Sequence, residues 1–489
     1  MIFLVKVLRR KSVNSIIDAI FENSESLPEK VAISYENSKI TYFELCKKIQ
    51  MFATALHSKG IKKGSRIAIE ADDLISFFAS LLGCHLAGCI AVPIEKDISI
   101  YRLQEILETT KPTLIFMKNN GESFDDFWGD ISAKIKPQKI KPDAVCTITS
   151  TTGTTGNPVL VSHSNKNILA TVQNLVQGAD ITTDTVLFTN IPLSLAAGYR
   201  RVFACLYAGA TAVVSHKTLS EDVLKELFSN HSVNYMAIVN SNLNLLIGLN
   251  DDFIVKSIKN LKGVQTVVGP LTSVSIRAFH KRFPEVELYN VYGTTESGCI
   301  TVNLTSVNAD ENCLGKPTVN SEVFIIDENG EIVTKPGEYG YMAVKGDMNM
   351  QGYYRKKALS EKVMREDYIV ISDIVYFDED GYYYFVSRVG DIIDVSGHKV
   401  LPGEIEKVTM RFGGVVDCAC VAKETALGSL PMLYIQVENA DDFDKDELQK
   451  HLKRRLEKYK VPSETEIIKK IPRTSTGKLM RKSLQMNNK

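Results

Sequence analysis

The sequence predicts an α/β protein: a large N-terminal domain of parallel sheets flanked by helices, carrying a β-rich subdomain, then a small α+β C-terminal domain. Three observations predict it. Through roughly the first 300 residues, short apolar runs alternate with stretches of helical length, the arrangement that builds parallel sheets covered on both faces. From about residue 320, acidic turns containing glycine separate the apolar runs instead, a hairpin signal. After Arg388 a separate short α+β pattern begins, so the division falls at 1–388 and 389–489. A chain of 489 residues has ample material for several cores.

In chain order, SRIAIEA, CIAVPI, PTLIFM, AVCTIT, TVLFTN, TAVVSH, NYMAIV and VQTVV read as strands. Leu74 to Ile94 is 21 residues without Asp, Glu, Lys or Arg, long enough for a membrane helix. Its Ser76, Ser80, Gly83, His85, Gly88 and Pro93, and the strand-like AVPI, fit a buried helix followed by a buried strand better. EVFIIDENGEIV and YFDEDGYYYFVSR place Gly-containing acidic turns between apolar runs. The last hundred residues hold GDIIDVSGHKVLPGEIEKVTMRF, VVDCACVAK, MLYIQVE and a helix rich in Lys and Arg.

Fifty-eight Lys and Arg balance 58 Asp and Glu, with 44% hydrophobic and 24% charged residues. That composition argues against wholesale disorder and against a polybasic nucleic-acid or membrane binder. The balance conceals an asymmetry: residues 451–489 hold 12 Lys and Arg against 3 Asp and Glu. Nine scattered cysteines, with only Cys418 and Cys420 close together, read as reduced buried thiols rather than a zinc site. The N-terminal MIFLVKVLRRKS places its charges after the apolar run, the wrong order for a secretory signal. These features predict a cytoplasmic protein without a transmembrane segment.

Residues 149–165, TSTTGTTGNPVLVSHSN, follow a predicted buried strand. Hydroxyls and glycines at that density leave backbone N–H groups free to surround phosphate oxygens; the alternative is a flexible linker. The segment is not a G-x-x-x-x-G-K-[ST] loop, and no G-x-G-x-x-G follows a first strand, which counts against a Rossmann site. Two further segments add specificity: YNVYGTTESG (289–298), and PRTSTGKLMR (472–481) with a Gly-Lys in a polar loop near the C-terminus.

With these motifs, and with TYFEL (41–45), LAGCIAVPI (86–94), IPLSLAAGYR (191–200), MQGYY (350–354), DIVYFDEDGYYYFVSRVGD (373–391) and SGHKVLPGEIE (396–406) in order, the chain resembles the adenylate-forming superfamily. That superfamily comprises acyl-CoA synthetases, peptide-synthetase adenylation domains and beetle luciferases, and the chain is most similar to the acyl-CoA synthetases. The resemblance spans about residues 12 to 485. It implies a ligase using ATP, Mg2+ and CoA, or the phosphopantetheine of a separate acyl carrier protein. A carboxylate attacks the α-phosphorus of ATP to give acyl-AMP and pyrophosphate, and a thiol then displaces AMP. Preorganised N–H donors, Mg2+ and a lysine suit the negative charge that both steps develop.

The resemblance also assigns residues. Thr151, Thr152, Gly153, Thr154, Thr155 and Gly156 match the phosphate loop. Tyr292, followed by Gly293, lies on the adenine face, and Asn290 bonds the exocyclic amine. Thr295 meets the α-phosphate, while Glu296, with Thr151, holds Mg2+ through hard oxygens. Asp373 and Arg388 bind the ribose, and Lys478 bridges the carboxylate and the α-phosphate. The superfamily's small domain is mobile and alternates between two poses around a hinge just after Arg388. One pose delivers Lys478, and the other brings the loop around Gly397 to the thiol tunnel.

Departures are also visible. The usual Pro-Lys-Gly is Pro158-Val159-Leu160, so a cation expected near the β- and γ-phosphates is missing, with His163 or Lys166 as candidate substitutes. The usual Thr-Gly-Asp is Ile371-Ser372-Asp373, Ser387 replaces a glycine, Gly390 takes the hinge position, and Asp394 stands where lysine is common. Amino-acid-activating relatives carry an acid after the strand near 190, whereas IPLSLAAG has none. With Leu195, Ala196, Ala197, Gly198, Val268, Gly269, Gly298 and Cys299, the pocket reads as apolar and lined by small residues. The expected substrate is therefore an uncharged fatty or other aliphatic acid, and the expected product an acyl-CoA. The alternatives are a ligase that loads a carrier protein or an amine, and a catalytically silent nucleotide- or acyl-binding homologue. No nucleic-acid partner is expected.

Overall fold

The computed structural model describes residues 13–118, 121, 123–128, 140–151, 159–267, 271–310, 312–395, 398–425, 428–473 and 479–486. Two large sheets dominate. One has 13 strands. Its parallel part runs through Val31–Tyr35, Thr211–Val214, Val186–Thr189, Tyr235–Val239, Gly263–Val267 and Glu287–Thr294. From Glu287–Thr294 onward the pairing turns antiparallel, through Gly298–Leu304, Cys313–Pro317, Tyr383–Arg388, Tyr368–Phe377, Gly340–Lys345 and Glu322–Ile326. This second half is the predicted β-rich region.

The other sheet has six strands, with Leu114–Phe116, Arg66–Glu70, Ile90–Ile94 and Val145–Ser150 parallel. Each strand anticipated in the first 300 residues lies in one of these two sheets.

Helices Ile16–Ser26, Tyr42–Ser58, Leu74–Ala87, Asn165–Gly178 and Ala196–Ala208 supply the apolar layer that both sheets share. Leu74–Ala87 is set by its ends. Asp73 accepts from the Ile75 and Ser76 N–H groups, and Gly88, at φ 73°, stops the helix before Ile90–Ile94. The charge-free stretch is thus a buried helix of 14 residues and a strand of five. No helix among the described residues is long and apolar enough to cross a membrane. The helix is buried nearly all round because Tyr42–Ser58 packs on it, with Phe52 against Gly83. Phe52 itself has no exposure and meets Phe116 and Phe127 at ring-centroid distances of 5.3 Å. Burying such a ring contributes on the order of 2–3 kcal/mol.

The chain beyond Arg388 builds cores of its own. Ile393, Val400, Ile405, Leu433, Ile435 and Leu448 form one, between a three-stranded sheet and helices Pro402–Thr409 and Lys445–Lys453. Cys418 and Cys420 lie buried in a strand of that sheet, and all nine cysteines are buried and free. The connection Val389–Asp391 is a single 3₁₀ turn. A Cβ at Gly390 would meet nothing within 4 Å, so no neighbouring atom requires glycine there. Gly403 is different: a Cβ would lie 1.8 Å from the Val386 carbonyl oxygen, so helix Pro402–Thr409 rests on the last strand of the large sheet through bare backbone.

The C-terminal helix is fastened by charge. The Arg481 Nε donates to Asp391 at 3.0 Å, and its two terminal nitrogens donate to the two oxygens of Glu406. One of those nitrogens also reaches the Cys420 carbonyl. Breaking a half-buried fork of this kind leaves two acids without their cation. Arg481→Met should therefore accelerate hydrogen exchange across Val415–Thr425 by roughly 100-fold, the equivalent of about 3 kcal/mol of local stability. Unchanged protection there would assign the fastening to apolar contacts alone.

Candidate active site

The site lies where the parallel strands end and the antiparallel ones begin. Glu287–Thr294 and Gly298–Leu304 are joined by a turn that glycine makes possible. A Cβ on Gly293 would sit 1.8 Å from the Gly298 carbonyl oxygen, and Gly298 adopts φ 62° with a Cβ position 2.2 Å from Thr171. The Ser297 N–H closes the turn onto the Thr294 hydroxyl at 3.0 Å. This tight reversal carries Thr295 and Glu296. The Tyr353 hydroxyl donates to Glu296 Oε1 at 3.0 Å, and Met350 N–H to the Glu296 carbonyl at 2.7 Å.

Asp373, 3% exposed, sits on strand Tyr368–Phe377 opposite Arg388 in register. Its Oδ1 accepts from Arg388 Nε at 3.1 Å, and its Oδ2 from the Tyr292 hydroxyl at 2.6 Å. Burial and the Asp373 charge hold the Tyr292 phenol well above its ordinary pKa, so it remains a donor. Asn290 is buried and donates to the Cys313 carbonyl at 3.0 Å, which leaves Oδ1 as its acceptor end. The residues singled out at 290, 292, 293, 295, 296, 373 and 388 thus come together, and Asp373 is already engaged by two of its neighbours.

At the phosphate loop, only the mouth is described. Thr151 N–H donates to the Val159 carbonyl at 2.9 Å, and Val159 N–H to the Thr151 hydroxyl at 3.2 Å. Thr152, Gly153, Thr154, Thr155 and Gly156, with Gly397, Lys478 and the pocket residues Val268 and Gly269, lie outside the described residues. On either side of positions 474–478, Arg473 forms a β-bridge with Leu479, and Met480 N–H donates to the Pro472 carbonyl.

Neither His163 nor Lys166 replaces the missing cation. His163 has no exposure and packs on Arg200, whose terminal nitrogen lies 3.0 and 3.1 Å from the two ring nitrogens. Burial and that guanidinium push its pKa well below 6.5, so it is neutral. Lys166 is paired with Asp143 and Asp347 at 3.2 and 3.3 Å. Arg102, which the sequence reading passed over, stands at the mouth instead. Its Nη2 donates to the Thr151 carbonyl at 2.8 Å and the Ser150 hydroxyl at 3.0 Å, and its Nε is buried without a partner. Tyr353 was also passed over, although it lies inside the MQGYY motif.

The pocket expectation needs correction as well. Helix Ala196–Ala208 does present Ala196 and Gly198 in buried positions, but Arg200 and Arg201, which follow Tyr199, are each only 3% exposed. The buried side of the helix that carries Ala196 and Gly198 is therefore not uniformly apolar. The doublet in AGYRRVF, set inside an apolar helix, was the available signal.

The donor set suits magnesium. Among the described residues no group of three or more His, Cys, Asp or Glu side chains is gathered as a cage. Glu296 offers a carboxylate and Thr151 a hydroxyl, hard oxygens of the kind Mg2+ takes when substrate phosphates supply the remaining ligands.

Comparison with known proteins places the fold. The chain has the fold of the ATP-bound MatB structure from Rhodopseudomonas palustris, with a TM-score of 0.88 over 97% of this chain and 99% of that one at 20% identity. It likewise has the fold of the o-succinylbenzoate coenzyme A synthetase (MenE) of Bacillus subtilis in complex with ATP and magnesium, with a TM-score of 0.81, covering 95% and 98% at 23% identity. A 2-succinylbenzoate–CoA ligase of Bacillus subtilis strain 168 is 24% identical over 95% of this chain and 97% of its own length. The relatives place the chain among adenylate-forming enzymes of the acid–thiol ligase class. The chain belongs to the AMP-binding enzyme family, whose pattern matches residues 20–354, and the family's C-terminal domain matches residues 404–478.

Two buried histidines give the site region a pH signature. Burial lowers His85 to about 3, and its Nε2 meets the Thr147 hydroxyl at 2.8 Å; His163 is lowered as well. Both take up a proton near pH 6.5 only when unfolded, so stability is lost as pH falls through 6.5. The loss approaches about 1.4 kcal/mol per pH unit for each group. Urea unfolding between pH 7 and 4.5 should show a slope about 1.4 kcal/mol per unit shallower for His85→Gln than for the wild type; equal slopes would contradict the neutral His85.

Proposed function

We propose that the chain activates a carboxylic acid as acyl-AMP and passes the acyl group to the thiol of CoA. The observation that carries this reading is the Tyr292–Asp373–Arg388 constellation beside the turn bearing Thr295 and Glu296. In it the Tyr292 ring covers adenine, Asn290 Oδ1 accepts from the exocyclic amine, and Asp373 with Arg388 fixes the ribose. Thr295 orients the α-phosphate and Lys478 neutralises the adenylate as it forms. The loop Thr151–Gly156 wraps the phosphates, with Arg102 supplying the charge that Val159 lacks. Bound through Glu296 and Thr151, Mg2+ would neutralise phosphate charge.

The carboxylate oxygen forms a bond to the α-phosphorus and pyrophosphate departs. The CoA sulfur then bonds to the acyl carbon, and AMP leaves with the electron pair. The loop around Gly397 guides the thiol to the acyl-AMP. The boundary lies after Arg388, with 389–489 as the moving part. The small buried residues Ala196, Gly198, Gly298 and Cys299 suit an aliphatic chain. Nine buried free thiols suit a reducing, cytoplasmic setting.

Exchange of labelled pyrophosphate into ATP across a broad panel of acids tests the activity: at least one acid should support it, and none doing so would leave a silent binding protein. Omitting CoA, or replacing it with a phosphopantetheinylated carrier, identifies the acceptor, and thioester should form with CoA. Lys478→Ala should depress adenylation by about 100-fold or more while acyl transfer from supplied acyl-AMP changes little. Equal losses in both half-reactions would remove the division of labour between poses. Arg102→Met should raise the KM for ATP by about 10-fold with a smaller effect on the KM for the acid. An unchanged ATP KM would leave the phosphates without that contact.

A further inference from the structure

Arg200 and Arg201 are neighbours on helix Ala196–Ala208, each 3% exposed, and no acid among the described residues pairs with either. Arg201 spends one terminal nitrogen on the Ala197 carbonyl of its own helix, and its Nε and Nη2 are buried without partners. Arg200 Nη2 touches neutral His163 and, at 3.5 Å, the Thr295 carbonyl; its Nε is likewise unpartnered. Burial lowers Arg201 to about 10, which leaves it protonated at neutral pH. The Thr295 contact sets Arg200 beside the turn at 293–298, and both cations lie within electrostatic reach of the Cys299 thiol that follows it. Two adjacent buried charges without counter-ions among the described residues are strongly destabilising to a fold. Arg200 also lies over the Tyr199 ring at 5.9 Å, but none of these contacts supplies a negative charge, whereas an anion arriving at the unpartnered nitrogens would.

We propose that Arg200 and Arg201 bind a second carboxylate on the substrate, so that the acid this enzyme activates is an aliphatic dicarboxylic acid. The proposal rests on the acid-activating function above and replaces the uncharged tail with a charged one. The reacting carboxylate is a poor occupant, because a guanidinium fork would disperse the charge with which it attacks phosphorus. ATP phosphates are the other anionic source, and Arg102 already stands at the mouth of their loop.

The test compares α,ω-dicarboxylic acids of increasing length with their monomethyl esters in pyrophosphate exchange. The wild type should prefer the diacid of best length by at least about 100-fold in kcat/KM, since buried donors left unpaired discriminate strongly. Arg200→Met and Arg201→Met should each shrink that preference by about 10-fold or more with little change in the KM for ATP, and Arg200→Lys should retain part of it. Equal use of diacid and ester overturns the proposal. So does a loss in the variants that is uniform across acids or confined to the ATP KM.

Thermal unfolding with AMP present provides a readout that needs no turnover: the diacid, but not its ester, should raise the Tm of the wild type and not of Arg200→Met. If no acid supports exchange, the activity reading fails while this comparison still decides the anion site, and no diacid-specific shift overturns it. Without ligand, Arg201→Met should unfold about 2–4 °C above the wild type, as expected when an uncompensated buried charge is removed; a fall in Tm would assign Arg201 a structural role instead.

Discussion

Asp373 is the joint on which the arrangement depends. One of its carboxylate oxygens is fixed by Tyr292, from the last parallel strand, and the other by Arg388, from the last strand before the connection to the C-terminal region. A buried carboxylate is tolerated only when its lone pairs are met, so the two donors and the acid hold one another in place. Through this contact the strand leading into the Thr295–Glu296 turn and the strand leading out of the large sheet keep a fixed relation. Replacing Asp373 by an apolar residue would therefore disturb the geometry of the site as well as any contact with a ribose.

The architecture was legible because burial leaves a simple trace in sequence. Strands covered on both faces are short apolar runs, and each such run before residue 270 became a strand. The stretch 74–94 resolved correctly because Gly88 and Pro93 are incompatible with one continuous helix. The turn at 293–298 was legible through its glycines. Long-range side-chain meetings were not. Arg102 and Thr151 are 49 residues apart, and Tyr353 and Glu296 are 57 apart. No local period announces that such pairs will touch. Arg200 and Arg201 were overlooked for another reason: a charged doublet in a helix ordinarily faces solvent, and only the layer of helices shared by both sheets makes this position interior.

The charge balance of the chain conceals a local division. At the candidate site the carboxylates of Asp373 and Glu296 each have a hydroxyl donor, and Asp373 has a cation as well. Beside the turn, Arg200 and Arg201 lie buried with no acid among the described residues to meet them. Other buried polar atoms, Gln265 Nε2 and Oε1 among them, also lack partners, but Arg200 and Arg201 are two adjacent buried cations, and the local stability of such a pair is conditional on an anion that meets them.

The two clasps that flank residues 474–478 have a mechanical consequence. Arg473 forks onto Asp417 on one side, and Arg481 onto Glu406 and Asp391 on the other. Arg481 thereby ties three parts of the chain to one guanidinium: the 3₁₀ turn through Asp391, helix Pro402–Thr409 through Glu406, and strand Val415–Thr425 through the Cys420 carbonyl. A change of backbone angle in that turn would pull on the C-terminal helix directly, and loss of the guanidinium would release all three parts together.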